Sequence, residues 1–295
     1  EDQKKHLREV GDVDLAYSIP GFGRMRVNVF YQRGTLSMAI RVLSFGIPDC
    51  DELGIPEVVR EMAKKPRGLI LVTGATGCGK STTLAALVGL INGSCEKHII
   101  TLEDPIEYLH RHGMSMVTQR EIGLDSMSYA SALRAALRED PDVIQVGEMR
   151  DLETISTVLT AAETGHLVFS TLHTNDAASA VDRVIDVFPP HQQQQARVQL
   201  ADVIEGVVSQ RLVPKADGSG RVAIFEIMTA TNAVRNLIRE GKTFQVPTIM
   251  QTGGRDGMIT MDDALVEAVN SGVISAETAV SNAVDQNRVK QKVGN

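Results

Sequence analysis

Tryptophan is absent and aromatic residues make up only 4% of the 295 residues, which excludes a core built on large rings. The 43% hydrophobic content is therefore aliphatic, as is common in α/β enzymes, and it suffices for a substantial core. Cysteine is scarce too: Cys50, Cys78 and Cys95 are odd in number and form no C-x-x-C pair. That argues against a disulfide framework or a structural zinc site, and it suits a cytoplasmic chain. Basic residues are outnumbered, with 30 Lys and Arg against 37 Asp and Glu and a formal charge of −7. The chain has no general attraction for nucleic-acid backbones; a DNA motor is disfavoured, although a local basic channel stays compatible with the composition. No apolar run approaches the roughly 18 residues that span a bilayer, and no signal-peptide pattern opens the chain. Membrane association must then come through partners. Internal repeats are also missing.

What is present divides into two textures. Residues 13–43 alternate with a period of two: Met25, Val27, Val29 and Tyr31 interleave with Arg24, Arg26, Asn28 and Phe30, and Gly34 and Thr35 supply a turn. The Gly, Pro and Asp residues from Ser44 to Pro56 mark a connector. Beyond it, short apolar strands at 69–73, 99–102, 143–146 and 167–171 alternate with helices at 80–91, 128–139, 151–164 and 175–187. This order predicts a largely parallel sheet covered by helices. A longer helix is expected over 191–213, a strand at 222–227, and helices at 260–270 and 275–287, while the Gln192–Gln195 run reads as a solvated helix face. The chain starts at Glu1 with strand-like sequence almost at once, so a preceding segment is expected to be missing.

Gly74-Ala75-Thr76-Gly77-Cys78-Gly79-Lys80-Ser81 matches G-x-x-x-x-G-K-[ST] between a predicted strand and a predicted helix. Backbone N–H groups of Gly74, Thr76, Gly77, Cys78 and Gly79 would cradle phosphates at the helix N-terminus, joined by Thr82. Lys80 would reach the β- and γ-phosphates and Ser81 would ligate Mg²⁺. Acids able to hold that metal or orient a water end two strands: Glu103 and Asp104, with Glu107 a turn on, and Glu148. Exposed loop acids are the alternative reading. His166 and His173 bracket one strand and so cannot share a compact metal site; His173, at the carboxyl end, is placed to meet a γ-phosphate or to serve only structurally. Arg24, Arg26, Arg33 and Arg41 in the strand region are either arginine fingers or solvated sheet edges.

These pieces resemble the secretion and pilus motor ATPases, and within them the branch that retracts type IV pili, over essentially the whole chain. The Walker A loop is joined by an Asp-box-like "TLEDPIEY" at 101–108, an atypical Walker B-like "LREDPDVIQVGEMRD" at 137–151 and a His-box-like "TGHLVFSTLHTN" at 164–175. Residues 233–240, Ala-Val-Arg-Asn-Leu-Ile-Arg-Glu, differ by one conservative change from a helix motif of the retraction branch. The stretch at 250–265 is likewise similar to that branch, and three cysteines cannot build the four-cysteine zinc module of assembly and secretion ATPases.

The resemblance implies an α/β fold: a RecA-like P-loop motor over 57–295, with a helical region from about 230, a linker at 49–56, and residues 1–48 as the end of a truncated PAS-like α/β domain. It implies a cytoplasmic homohexamer at the inner face of the membrane. ATP and Mg²⁺ would be its cofactors and an inner-membrane platform protein its partner, with no direct nucleic-acid binding. Glu103 and Glu148 would share water activation and Mg²⁺ binding, with Glu103 favoured for the water and Ser81 and Glu148 for the metal. Arg24, Arg26 and Arg33 become finger candidates, and His173 joins the catalytic set. Cys78 replaces the more usual Ser or Gly at a position that contributes its backbone N–H. The charged face of helix 233–240 is expected to make contacts outside the motor, so that exchanging Arg235 and Arg239 for Glu would spare ATPase activity. The rival readings are an assembly or type II secretion ATPase of the same superfamily, and a nucleotide-gated scaffold with little turnover.

Overall fold

A computed structural model describes residues 2–19, 23–42 and 46–294, giving the backbone alone for Asp2, Ala16, Ser18, Gly23 and Arg24. Its first part is a helix, α1 (Asp2–Val10), followed by β1 (Asp12–Ile19), β2 (Gly23–Gln32) and β3 (Thr35–Val42), which form one antiparallel sheet in that order. The helix is a correction, since strand-like sequence was expected from the start; α1 holds only two apolar residues, too few for a pattern to register. Alternation does govern the sheet. Met25 and Val27 are buried on its apolar face, while Leu36, Met38, Ile40 and Val42 continue that face across β3 and stand exposed.

The second part has α2 (Glu57–Ala63), β4 (Gly68–Thr73), α3 (Lys80–Ser94), β5 (His98–Glu103), β6 (Met116–Glu121), α4 (Tyr129–Ala136), β7 (Val143–Val146), α5 (Leu152–Glu163) and β8 (Leu167–Leu172). There follow α6 (Ala177–Asp186), α7 (Gln193–Val203), β9 (Ile204–Pro214), β10 (Arg221–Thr229), α8 (Asn232–Arg239), α9 (Val246–Thr252), α10 (Met261–Asn270), α11 (Ala276–Asn282) and α12 (Gln286–Val293). Seven strands make one sheet in the order β10-β9-β4-β8-β7-β5-β6, parallel except for the β9–β10 pair. Each residue of β4, β7 and β8 is buried, as a strand covered on both faces requires. On one face Leu71, Ile100, Ile144 and Val168 pack under α4 to α9; on the other Ile70, Val72, Ile99 and Phe169 pack against α2 and α3.

Two expectations change here, and two features were not foreseen. The helix over 191–213 ends at Val203, and Ile204–Pro214 is a strand, because Val207 and Val208 alternate faces beside β4 and Gly206 leaves no room for a side chain: a Cβ there would lie 2.5 Å from Met62 Sδ. The helix over 275–287 breaks into α11 and α12, each with its own side-chain cap, Ser275 and Asp285. The strand β6 was not foreseen, since its polar Thr118, Gln119 and Arg120 hide an edge strand. The connector is packed: Cys50 and Ile55 are buried in the core beside α2 and α3.

Helix α8 also departs from expectation. Arg235, only 16% exposed, donates to the carbonyls of Ala201 (2.6 Å), Asp202 (3.0 Å) and Ala230 (3.0 Å) and pairs with Glu205 at 3.0 Å. Its guanidinium covers carbonyls at the C-terminal end of α7 and is part of the packing rather than a free outer face. Arg239 is more open and bonds Asp202 at 2.7 Å. Exchanging Arg235 for Glu would therefore disturb the fold, whereas Arg239 stands at the surface.

Glu226 of β10 braces two helices at once. It is buried, and its carboxylate accepts from the N–H of Ala177 at 2.8 Å and of Met261 at 3.1 Å, the first residues of α6 and α10. Burial pushes its pKa up, against the pull of these two N–H donors.

Candidate nucleotide site

The carboxyl ends of β4, β5, β7 and β8 open into one cleft of about 510 Å³. Such a strand-end crevice is where ligands gather in open parallel sheets. Thr76, Gly77, Gly79, Lys80, Ser81 and Thr82 line it from the loop between β4 and α3. Gly79 caps α3 at φ 95°, a left-handed conformation that glycine adopts without strain. Gly74 is required for a different reason: at φ 142° a Cβ would lie 2.5 Å from the Gln210 carbonyl and 2.6 Å from Cys78 Sγ. Gly74 and Cys78 do not line the cleft; the Cys78 thiol is buried, which raises its pKa, and the residue's carbonyl accepts from Gln210 Nε2 at 2.6 Å.

Gln210 was not anticipated as part of this site. Buried on β9, it also accepts from Thr83 Oγ1 at 2.9 Å, so one amide ties the loop to the first turn of α3. No motif announces it, because its partners lie well over a hundred positions away and meet only through the β4–β9 pairing.

Lys80 Nζ donates to Gly74 O at 2.8 Å and Ala75 O at 3.1 Å and stands 3.5 Å from His173 Nδ1. Burial lowers its pKa, with Cys78 and Glu148 opposing. The same imidazole puts Nε2 3.4 Å from Glu148 Oε2. A neutral ring with its proton on Nε2 satisfies both neighbours, accepting from Lys80 and donating to Glu148. The other Glu148 oxygen meets Arg150 Nε at 2.6 Å. His166, at the far end of β8, is occupied with Ala161 O at 2.9 Å.

Glu103 sits deeper. Oε1 accepts from Thr101 Oγ1 at 2.6 Å and from Gln119 Nε2 at 3.1 Å. Burial raises its pKa more than these donors and the Glu107 N–H lower it. Asp104, Glu107, Tyr108 and Tyr129 complete that wall, with Glu107 in a loop rather than a helix. The Tyr108 hydroxyl lies 2.9 Å from Thr82 Oγ1.

The arginines separate. Arg26 and Arg41 are cross-strand partners on β2 and β3, and both line the cleft. Arg26 also lies 3.8 Å from Asp14. Arg33 occupies the β2–β3 turn at φ 50° and is not among the cleft residues, whereas the Arg24 side chain lies outside the described residues. The strand pattern offered Arg33 and Arg41 alike and the family resemblance named Arg33; pairing with Arg26 is what brings Arg41 to the cleft.

For a metal, Ser81, Glu103, Asp104 and Glu148 give an all-oxygen lining. No group of three or more His, Cys, Asp or Glu among the described residues could cage an ion. That pattern fits Mg²⁺, which takes one or two protein oxygens and completes its shell with phosphates and water. Among the described residues no helix is long and apolar enough to cross a membrane.

Residues 23–281 match the family model described as "Type II/IV secretion system protein". The chain is 52% identical over 92% of its length to the uncharacterised protein YggR of Escherichia coli K12, covering 83% of that protein. It is 49% identical over 94% of its length to the type IV pilus retraction ATPase PilT of Pseudomonas aeruginosa, covering 80% of it. Among solved structures it resembles the pilus retraction motor PilT with bound ADP, at a TM-score of 0.92 and 49% identity, over 99% of this chain and 83% of that one.

Proposed function

The chain belongs to the type II/IV secretion system protein family, and from that premise we propose that it is an ATPase which, as a homohexameric ring, retracts type IV pilus filaments. We assign residues 1–48 to an N-terminal unit, 49–56 to a packed connector and 57–295 to the motor. The ring would work at the cytoplasmic face of the inner membrane against a platform protein, without touching nucleic acid.

One observation carries the hydrolytic reading. Loop residues 76–77 and 79–82, both strand-tip acids and His173 converge on a single cleft, with Lys80 and Glu148 joined through the imidazole. Lys80 turns from its loop carbonyls to the β- and γ-phosphates, and the loop N–H groups hold the remaining oxygens. Ser81 and Glu148 would hold Mg²⁺, which, when bound, offsets charge on the phosphates. Glu103 takes the proton of the attacking water. The water oxygen bonds to the γ-phosphorus as the bond to the bridging oxygen breaks, and that electron pair leaves on ADP. Glu103 suits this part because burial raises its proton affinity, while Glu148 is engaged by Arg150 and His173. Arg24, Arg26 and Arg33 are proposed to meet transition-state charge, and Arg41 is added to them on its place in the cleft.

The test combines turnover with movement. Purified protein should release phosphate from ATP, and Lys80→Ala should remove both nucleotide binding and release. Expressed in cells lacking their own retraction motor, the wild type should restore filament shortening and twitching, whereas Lys80→Ala should not. Filaments that lengthened instead would point to the assembly role and sink retraction while leaving the ATPase intact.

A further inference from the structure

Three uncharged polar residues stand in one row across the sheet: Gln119 of β6 and Gln145 of β7 are both register partners of Thr101 on β5. Ile144 and Val146 face α4 to α9, so the pleat turns Gln145 to the other face, with Val143 and Phe169 on the α3 side. Two residues further along β5, on that same face, is Glu103. Thr101 and Gln119 are spent. Thr101 donates to Glu103, and Gln119 donates to Glu103 and to Tyr108 O at 2.8 Å while accepting from His110 N at 2.8 Å.

Gln145 is different. It is 6% exposed, it lines the cleft beside Glu103, Gly147 and Thr171, and its buried Oε1 has no hydrogen-bond partner among the described residues. An acceptor left unpaired inside a sheet costs stability that an apolar side chain of similar size would not. Every other position of β7 is aliphatic, so an amide here needs a partner that arrives with the ligand.

We propose that Gln145 is a further catalytic residue, whose Oε1 accepts a hydrogen bond from the water that attacks the γ-phosphate. This rests on the hydrolytic reading above. The water has two protons: one passes to Glu103 and the other is held by Gln145, which turns the oxygen lone pair toward phosphorus. Gln145 neither gains nor loses a proton in the step. An incoming donor also satisfies the orphaned oxygen, so the cleft is better satisfied with its reactants than without them.

Gln145→Met keeps the length and removes the acceptor, and Gln145→Leu does so with a different packing shape. For both, kcat should fall about tenfold, the scale of one neutral hydrogen bond. The dissociation constant of a fluorescent ATP analogue should stay unchanged, and the melting temperature of the nucleotide-free protein should rise. A weakened dissociation constant with kcat unchanged would overturn the proposal in favour of a ground-state contact. Unchanged kcat with a lower melting temperature would overturn it in favour of a structural role. Wild-type turnover in the same assay separates the layers: its absence would sink the hydrolytic reading itself, whereas normal turnover in wild type and both variants would sink only the role of Gln145.

Discussion

In the seven-stranded sheet β4 is buried along its whole length, whereas in the three-stranded sheet Leu36, Met38, Ile40 and Val42 stand between 53% and 63% exposed. The groups entering the cleft inherit that contrast. Lys80, Glu103 and the phosphate loop are held by loop carbonyls, by the Thr101 hydroxyl and by the amide of Gln210, the last two placed by strands of that sheet. Arg26 and Arg41 come from the other sheet, where the one described ion pair of Arg26 joins two half-exposed side chains. Such a pair contributes about 0–1 kcal/mol. The chemistry that must be held still is thus assigned to the sheet that closes itself. The arginines proposed to meet transition-state charge come from the sheet that its own chain leaves half open.

The largest expected effect strikes the rigid side. Glu103→Gln keeps the acceptor for Thr101 and Gln119, so the protein should fold and bind ATP, yet kcat should drop about 10²–10⁴-fold. Normal turnover would mean that another group activates the water. The packing contrast can be tested by truncating one residue in each sheet. Leu71→Ala, at 0% exposure, should cost about 2–5 kcal/mol in urea unfolding. Ile40→Ala, at 53% exposure, should cost less than about 1 kcal/mol in the isolated chain. Equal losses would show that the small sheet is as tightly closed as the large one.

A subtler effect is a pH shift. Burial already raises the Glu103 pKa, and Thr101→Val removes a hydroxyl that stabilises the charged form, so the pKa should rise further. A general base must be deprotonated, so the acid limb of the kcat profile should move to higher pH. A limb that stayed in place would separate Glu103 from the titrating group. The smallest effect belongs to Asp14→Asn, which should leave melting temperature within about 0.5 kcal/mol equivalent, given the exposure of both partners.

Much of the site was legible because its signals are local. A glycine pattern between a strand and a helix specifies a phosphate loop through steric rules that act over eight residues, and acids at strand tips follow from counting along short apolar runs. The failures share a cause as well. Ile204–Pro214 was read as helix because a buried strand and a buried helix have the same apolar content over a short run, and only pairing with β4 decides between them. Arg235 was read as outward because helical spacing says nothing about the end of α7 lying beside it.

By its residues alone, the chain determined that it is a P-loop protein with a parallel sheet, an aliphatic core and two acids at strand ends. Tertiary structure decided that Gln210 ties down the loop, that Arg41 rather than Arg33 enters the cleft, and that Gln145 faces it with an oxygen unpaired among the described residues. The physical reason is range. Dihedral sterics and side-chain periodicity act between neighbours in sequence and leave a pattern there. Contacts across the sheets depend on strand order and register, which join residues far apart in sequence and leave no trace in either segment.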